Sequence, residues 1–376
     1  MKLYVIAGEA SGDLHGSNLM KALKHERPDI RFRFWGGDKM QAVAGKPVKH
    51  IKELAFMGFV EVLMNLRTIL GNIKLCKKDI ASFQPDAIVL IDYPGFNLRI
   101  AEWAKVQGIK VFYYISPQIW AWKQGRVHQI KKVVDKMYCI LPFEKDFYAQ
   151  FNVDVDFVGH PLIDAIEDFR SHEFDNALFY AQEHLNELPI IAILPGSRKQ
   201  EISIKLPIML EAVQQLQADY QVVIAGAPSI DSSFYKRFTK DFQNSHIVHN
   251  KTYELLSIST AAIVTSGTAT LETALFRVPE VVCYKGSKIS YLIAKRLIKV
   301  KYISLVNLIM DREVVKELIQ HECNPIQLAD ELKFILPNGT KRKQMLEDYN
   351  ALIQKLGGVG ASKETAIRLL KTIENR

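Results

Sequence analysis

The chain has 376 residues, of which 48% are hydrophobic and 24% are charged. This length and composition exclude a disordered or collagen-like polymer and leave room for about two globular domains. Its 49 basic residues outnumber the 41 acidic ones, and the net charge of +8 suits an anionic partner such as a phosphorylated substrate, an anionic lipid or a nucleic acid.

Four cysteines lie far apart in the sequence and form no C-x-x-C pair: Cys76, Cys139, Cys283 and Cys323. This spacing predicts neither a disulfide framework nor a zinc site, and it favours a reducing cytoplasm. The N-terminal apolar run covers only residues 3–7 before a glycine turn, so we expect no signal peptide. No apolar stretch approaches the roughly 18 residues that a membrane-spanning helix needs.

Short apolar runs alternate with amphipathic stretches, a rhythm that predicts parallel sheets covered by helices. The first series of predicted strands is 3–7, 31–35, 87–91, 110–115, 137–141 and 156–158. After a charged connection at 164–187, the rhythm restarts with strands at 190–194, 221–225, 247–249, 261–265 and 281–284. We therefore expect an α/β protein in which two Rossmann-like, doubly wound parallel-sheet domains face each other across a cleft.

The predicted domains are residues 1–165 and 166–345. A helical segment, 346–376, follows them with room to pack back on the first domain. Ligands of open parallel sheets bind at the carboxyl ends of the strands, so the motifs that follow strands are the candidates for function.

Two motifs of the first domain follow strands. Residues 8–13, GEASGD, combine glycines that permit a sharp turn with a helix start that offers free N–H groups to an anion or a hydroxyl. The motif does not match G-x-G-x-x-G, and an ordinary βα turn explains it equally well. Asp92 ends an apolar strand, where a carboxylate can act as a general base, although spacing alone slightly favours a capping or loop role.

The motif SPQIWAW at 116–122 follows another predicted strand. Its tryptophans, Trp120 and Trp122, stand beside a proline-rigid turn and are candidates to pack a sugar or an acyl chain. Core packing is the commoner role of tryptophan and is the alternative.

Two motifs of the second domain also follow strands. LPGSR at 194–198 places a glycine, a hydroxyl and Arg198 at a helix start, which supplies a pyrophosphate with backbone donors and a bidentate cation. SGTATLE at 266–272 opens another helix with small residues, and Glu272 could accept hydrogen bonds from ribose hydroxyls. A surface turn and a capped helix are the alternatives, but two such motifs in one domain favour nucleotide binding.

Three patterns that suggest metal ligands are interpreted as non-functional. Asp154 and Asp156 match the D-x-D pattern of metal-using sugar transferases, but they lead into a short strand and are expected to face solvent. His246 and His249, like the lone His15, have no third donor at metal spacing.

Two stretches have the character of membrane contacts. Residues 54–66 hold two polar side chains, Glu61 and Asn65, among apolar ones, and residues 285–301 interleave six basic side chains with Ile and Leu. Basic charge beside apolar surface fits an interfacial contact with anionic lipid. A buried helix and a solvated face are the respective alternatives.

Taken together and in order, nine motifs resemble those of the lipid-A-disaccharide synthase family: GEASGD, LAFMGFVEVL, IDYPGFN, SPQIWAW, LPFEKDFY, VGHP, LPGSR, SGTATLE and KELIQHEC. The resemblance covers about residues 3–350 and implies an inverting glycosyltransferase with the two-domain GT-B fold. Such an enzyme joins UDP-2,3-diacylglucosamine to 2,3-diacylglucosamine 1-phosphate through a β(1→6) link and releases UDP. It needs no metal and no other cofactor.

The resemblance also implies roles for individual residues. Asp92 matches the catalytic carboxylate. The implied donor-binding residues are Gly196, Ser197, Arg198, Ser266, Gly267, Thr268, Glu272 and Asn307. The implied acceptor-binding residues are Glu9, Ser11, Gly12, Asp13, Met57, Glu61, Asn97 and Trp120.

The implied partners are the two lipid substrates and an anionic membrane surface, with a peripheral, cytoplasmic location on the inner face of the inner membrane. A homo-oligomer is left open, and no nucleic-acid partner is expected. One departure concerns Gly95, where the family often carries a second acid, so any role of that acid cannot be general. The rival interpretations are a UDP-N-acetylglucosamine 2-epimerase of the same fold and a non-catalytic protein that binds a UDP-sugar or a lipid.

Overall fold

The structure is a computed structural model that describes the whole chain except residues 55–65, 217–219, 229, 243, 288–290, 292–295, 297–299 and 375–376. The chain divides into two compact units. The first unit contains residues 1–165 and 356–376, and the second contains residues 166–355. Each unit is built around a parallel sheet.

The strands of the first sheet are β1 Lys2–Ala7, β2 Arg31–Gly36, β3 Lys49–His50, β4 Ala87–Ile91, β5 Lys110–Tyr114, β6 Lys136–Cys139 and β7 Asp156–Phe157. They run parallel in the order β3-β2-β1-β4-β5-β6-β7. The helices of this unit are α1 Ala10–Glu26, α2 Asp38–Ala44, α3 Leu66–Phe83, α4 Pro94–Val106, α5 Val127–Val133, α6 Glu144–Ala149 and the C-terminal helix Ala361–Glu374. Helix α7, Pro161–Ser171, contains the boundary between the two units.

The centre of the first sheet is the pair β1 and β4, with Leu3 opposite Ala87 and Ala7 opposite Ile91. Both strands are buried almost throughout, and near-continuous Ile, Val, Leu and Ala side chains are typical of a parallel strand that is covered on both faces. The strand order reverses between β1 and β4. Their carboxyl ends therefore form a switch point, where doubly wound sheets bind ligands.

The C-terminal helix Ala361–Glu374 belongs to the first unit, where it packs on α1. The Asp164 carboxylate accepts from the backbone N–H groups of Gly360 at 2.6 Å and Ser362 at 2.8 Å, just before and at the start of this helix. Near its end, the Thr372 carbonyl accepts from Lys110 Nζ at 2.7 Å. The helix is thus fastened at both ends to the first unit.

The strands of the second sheet are β8 Ile190–Leu194, β9 Gln221–Gly226, β10 Ser245–His249, β11 Ser259–Thr265, β12 Glu280–Tyr284 and β13 Lys316–Ile319. They run parallel in the order β10-β9-β8-β11-β12-β13, so the order reverses between β8 and β11. The helices are α8 Asn176–Gln182, α9 Lys199–Gln214, α10 Ser232–Thr239, α11 Thr252–Ile258, α12 Thr268–Leu275, α13 Leu305–Met310, α14 Pro325–Ile335 and α15 Arg342–Lys355.

The predicted fold class is confirmed, because both units are α/β with parallel sheets. Two strands were not predicted: β3 has two residues and β13 has four, and both are largely half-buried without an apolar run. No helix in the described part of the chain is long and apolar enough to cross a membrane. The predicted membrane contacts at 54–66 and 285–301 lie mostly outside the described residues and stay predictions.

Candidate active site

Asp92 follows β4 at the switch point of the first sheet, in a turn with left-handed backbone. Its φ is 42° and that of Tyr93 is 48°, and such conformations cost non-glycine residues about 1–3 kcal/mol each. Two side chains hold this turn through the Asp92 carbonyl: Asn97 Nδ2 donates to it at 2.7 Å and the Tyr113 hydroxyl donates at 2.5 Å. These hydrogen bonds thus hold a strained turn, which places Asp92 at the edge of the sheet where ligands bind.

The Asp92 carboxyl has an unusual proton affinity. Burial is the largest influence and the nearby Glu9 carboxylate adds to it, so that the pKa of Asp92 rises from 3.8 to about 7, although a hydrogen bond from the Tyr93 backbone opposes the rise. A general base is most effective when its pKa lies near the operating pH. Asp92 is therefore poised to accept a proton at neutral pH.

The GEASGD loop approaches the Asp92 turn closely because of its glycines. A Cβ on Gly8 would lie 2.3 Å from Cγ of Tyr93, so any side chain there would displace the Tyr93 ring. A Cβ on Gly12 would lie 3.2 Å from Cβ of Ala7, and Gly12 is buried where α1 packs on β1. Next to it, Ser11 is exposed in the first turn of α1.

Asp13 makes contacts that are internal to the protein. Its buried carboxylate accepts from the backbone N–H groups of Gly37 at 2.7 Å, Lys39 at 3.0 Å and Met40 at 3.0 Å. These groups lie at the start of α2, whose free N–H groups need an acceptor. The arrangement explains Asp13 by a structural role, and its predicted contact with the acceptor stays a prediction.

The two tryptophans of the SPQIWAW motif lie in different environments. Trp120 is buried, with its ring 4.9 Å from that of Phe143 and its Nε1 donating to Glu144 at 3.3 Å. Trp122 keeps 48% of its surface exposed, and the Lys123 ammonium lies 4.2 Å from its ring centroid. The acceptor contact that the resemblance implies for Trp120 stays a prediction, and Trp122 is the tryptophan with the larger exposed surface.

The predicted pyrophosphate turn, 194–198, follows β8 at the switch point of the second sheet. Gly196 has a φ of 110°, and a Cβ there would lie 2.6 Å from Oε2 of Glu201. Ser197 and Arg198 are exposed, and Arg198 Nη1 donates to Glu201 Oε1 at 2.8 Å. The turn therefore requires glycine and presents a hydroxyl and a guanidinium at the start of α9.

Lys205, which the sequence did not single out, lies under this turn. Its side chain is 3% exposed, and its Nζ stands 3.6 Å from the position of a Cβ on Gly196. A carboxylate oxygen of Glu201 is 3.9 Å from this Nζ. Burial lowers the pKa of the Lys205 ammonium, an effect that Glu201 opposes. A buried cation beneath a glycine turn is suited to an anionic ligand.

The second predicted donor motif, 266–272, follows β11 beside the pyrophosphate turn. Gly267 has a φ of 151°, and a Cβ there would have no described residue beyond its chain neighbours within 4 Å. It precedes the exposed Thr268 at the start of α12. The Ser266 hydroxyl donates to the Ile303 carbonyl at 2.8 Å. Burial raises the pKa of Glu272, whose Oε1 accepts from the Tyr253 hydroxyl at 3.3 Å. Its second oxygen makes no hydrogen bond to a described residue.

Asn307 is buried, and its amide is fully engaged by the protein. Nδ2 donates to the Val315 carbonyl at 2.8 Å and to Glu317 Oε1 at 2.9 Å, while Oδ1 accepts from the N–H groups of Val314 at 2.7 Å and Val315 at 3.0 Å. Glu317, part of the KELIQHEC motif but without a predicted role of its own, also accepts from the Ile303 N–H at 3.0 Å. Asn307 thus has no spare donor or acceptor as it stands, and its predicted donor contact stays a prediction.

The D-x-D pair is occupied by ion pairs. Lys136 Nζ lies 2.8 Å from Asp154 and 3.1 Å from Asp156, and Arg368 lies 3.4 Å from Asp156. Among the described residues, no group of three or more His, Cys, Asp or Glu side chains could hold a metal ion. The remaining predicted acceptor residues, Met57 and Glu61, lie outside the described residues.

The chain is similar in sequence to lipid-A-disaccharide synthases over nearly its whole length. A family model described as lipid-A-disaccharide synthetase matches residues 3–370. The lipid-A-disaccharide synthase of Syntrophus aciditrophicus (strain SB) is 41% identical over 98% of this chain and 97% of that protein. The lipid-A-disaccharide synthase of Myxococcus xanthus (strain DK1622) is 38% identical over 99% of this chain and 97% of that protein.

Solved structures of similar fold are more distant in sequence. The UDP-GlcNAc 2-epimerase from Neisseria meningitidis bound to UDP-GlcNAc has a TM-score of 0.67 and 14% identity, covering 99% of this chain and 100% of that chain. A glycosyltransferase from Rickettsia africae ESF-5 has a TM-score of 0.59 and 14% identity, covering 100% of this chain and 99% of that chain. At these identities the likeness concerns the fold alone.

Proposed function

The chain belongs to the lipid-A-disaccharide synthetase family, and we propose that its two switch points divide the reaction of that family between acceptor and donor. The enzyme is an inverting glycosyltransferase that joins UDP-2,3-diacylglucosamine to 2,3-diacylglucosamine 1-phosphate. The products are the β(1→6)-linked disaccharide 1-phosphate and UDP. In the proposal the first unit binds the acceptor and supplies the base, and the second unit binds the donor.

Asp92 is the proposed general base. It takes the proton of the acceptor 6-hydroxyl as that oxygen attacks the anomeric carbon of the donor. The bond from this carbon to the UDP oxygen breaks on the opposite face, so one displacement inverts the centre. The observation that carries the assignment is a carboxyl with a pKa of about 7 in a fixed, strained turn at a switch point.

The departing diphosphate gains charge and needs cations or N–H donors. The second sheet offers these at its switch point: the turn at Gly196, the guanidinium of Arg198 and the buried ammonium of Lys205. Free N–H groups at the start of α12 add to them. These groups take the place of a divalent ion in the proposal, and Glu272 accepts from a ribose hydroxyl with its second carboxylate oxygen.

Membrane association is part of the proposal, because both substrates carry acyl chains. The apolar stretch 54–66 is the proposed lipid-facing element, and the basic stretch 285–301 is the second candidate. We propose peripheral binding at the inner face of the inner membrane, the location that the family resemblance implies. Replacement of Val60, Leu63 and Met64 by Ser should weaken vesicle binding and raise the KM for the lipid acceptor, while UDP affinity stays the same.

Mass spectrometry of the products tests the function directly. The enzyme, mixed with UDP-2,3-diacylglucosamine and 2,3-diacylglucosamine 1-phosphate, should yield the disaccharide 1-phosphate and UDP in equal amounts. Consumption of UDP-N-acetylglucosamine without an acceptor, with formation of its 2-epimer, would support the epimerase interpretation instead. Binding of both substrates without any turnover would support a non-catalytic role.

A further inference from the structure

Two cations flank the exposed Trp122, and no carboxylate of a described residue pairs with them. Lys123 Nζ lies 4.2 Å and Arg126 Cζ lies 6.0 Å from the Trp122 ring centroid. Neither cation forms an ion pair with a described residue. Partial burial, and then the Arg126 guanidinium, lower the pKa of the Lys123 ammonium. Two like charges held this close are stabilised by an anion, which the protein itself does not supply within its described part.

The backbone of the patch formed by Trp122, Lys123 and Arg126 is held between buried residues. The chain before it is anchored by the buried Trp120, and the chain after it by the fully buried Val127. Between them, Arg126 N–H donates to the Lys123 carbonyl at 3.0 Å within a short 3-10 helix. A backbone held in this way lowers the conformational entropy that the patch loses on binding a ligand.

The patch lies close to the proposed base. It follows β5, the neighbour of β4, and parallel strands end at the same edge of the sheet. The Tyr113 hydroxyl connects the two places: it donates to the Asp92 carbonyl at 2.5 Å, and the charges of both Asp92 and Arg126 act on it. We therefore expect a ligand at this edge to reach both Asp92 and the cations.

The chemistry of the acceptor matches this juxtaposition. In glucosamine 1-phosphate, the phosphate at C1 and the C5 carbon that carries the 6-hydroxymethyl group flank the same ring oxygen. We propose that Lys123 and Arg126 bind the 1-phosphate of the acceptor and so select a phosphorylated sugar whose 6-hydroxyl lies at Asp92. Trp122 supports the cations through its ring face. This inference rests on the proposed function and extends it to acceptor specificity.

The test compares two acceptors, 2,3-diacylglucosamine 1-phosphate and 2,3-diacylglucosamine, in micelles of a neutral detergent. We expect wild type to prefer the phosphorylated acceptor in kcat/KM, and Lys123→Ala/Arg126→Ala to reduce that preference by about 100-fold, chiefly through KM, since two charge-assisted contacts are lost. Single variants Lys123→Gln and Arg126→Gln should each reduce it by about 10-fold, which covers the case of a double variant that does not fold.

A matched control removes the same charge elsewhere in the first unit. Lys21 and Lys132 are exposed, and Lys21→Ala/Lys132→Ala should keep the wild-type preference. The affinities of the two acceptors, measured without donor, give the preference for the phosphate even if no disaccharide forms. A failure of the proposed reaction can therefore be distinguished from a failure of this inference. An unchanged preference in the Lys123 and Arg126 variants would overturn the inference.

A phospholipid headgroup is the other source of a phosphate for this patch. Vesicles of neutral phosphatidylcholine with added anionic phosphatidylglycerol, sedimented with each variant, separate the two sources. The inference predicts that the double variant and its control lose vesicle binding equally. If the double variant alone loses vesicle binding and keeps its acceptor preference, the patch binds the membrane and the inference is wrong.

Discussion

Replacement of Glu9 by Gln tests how the protein sets the proton affinity of its base. The pKa of Asp92 stands at about 7 instead of 3.8, with burial as the larger cause and the Glu9 charge as the smaller. Removal of that charge should lower the pKa of Asp92 by on the order of 1 pH unit, which equals about 1.4 kcal/mol. The base is active when ionised, so activity should extend to lower pH.

The assay is the pH profile of kcat/KM, whose acidic limb reports the base in the free enzyme. At pH 6, a base with a pKa of about 7 is roughly one-tenth ionised, and lowering its pKa by about 1 pH unit makes it roughly half ionised. The variant should thus keep roughly five times more of its plateau activity at pH 6 than wild type does. Glu102→Gln, which removes an exposed carboxylate of α4, is the control. If the acidic limb of the variant's pH profile stays in place or moves to higher pH, Glu9 does not raise the pKa of Asp92.

Three further results are expected. Arg198→Ala should weaken UDP binding at least about 10-fold in an isothermal titration, since a charge-assisted contact to the diphosphate is lost; unchanged affinity would refute the donor site. Gly8→Ala should lower the free energy of unfolding by about 1–3 kcal/mol, because its Cβ would lie 2.3 Å from the Tyr93 ring, and a second change, Tyr93→Ala, should restore part of it. The stability of Asp92→Asn relative to wild type should increase as pH rises from about 4 to 7. The reason is that ionisation of a carboxyl whose pKa is raised in the folded state opposes folding in this range. A difference in thermal stability between the two proteins that stays constant from about pH 4 to 7 would contradict the raised pKa.

The sheet cores were predictable because their strands carry their own signal. Residues 87–91 and 190–194 read as apolar runs, and both are completely buried central strands. The edge strand β13 has no such run, since only Leu318 of its four residues is buried. Its position depends on pairing with β12, a contact that no local pattern encodes.

The positions of Asp92 and the LPGSR turn directly after strands were predictable from the same apolar runs. The strand order that places them at switch points and the roles of single side chains were not. Asp92 and the LPGSR turn follow strands whose order in the sheet makes them ligand-binding edges. By contrast, Asp13 and a ligand-binding acid look alike in sequence, because the amides that occupy Asp13 lie at residues 37–40. Likewise, Trp120 and Trp122 share one motif, and contacts with Phe143 and Glu144 decide which of them is buried.

Lys205 shows a different limit of sequence reasoning. It stands seven residues after Arg198 on α9, a helix whose polar positions otherwise read as solvent-exposed. Its burial under Gly196 depends on how the turn folds back over the helix. An isolated lysine in an apolar stretch, Ile204-Lys205-Leu206, was the only signal that the sequence offered.

The most direct test of the account is the turnover of Asp92→Asn, measured together with its affinity for UDP. Asparagine keeps the size of the side chain and removes its ability to take a proton. The account predicts a fall in kcat of about 10²-fold or more, the scale of general-base catalysis, with UDP affinity equal to that of wild type. Turnover near the wild-type value would contradict the assignment of Asp92 as the base.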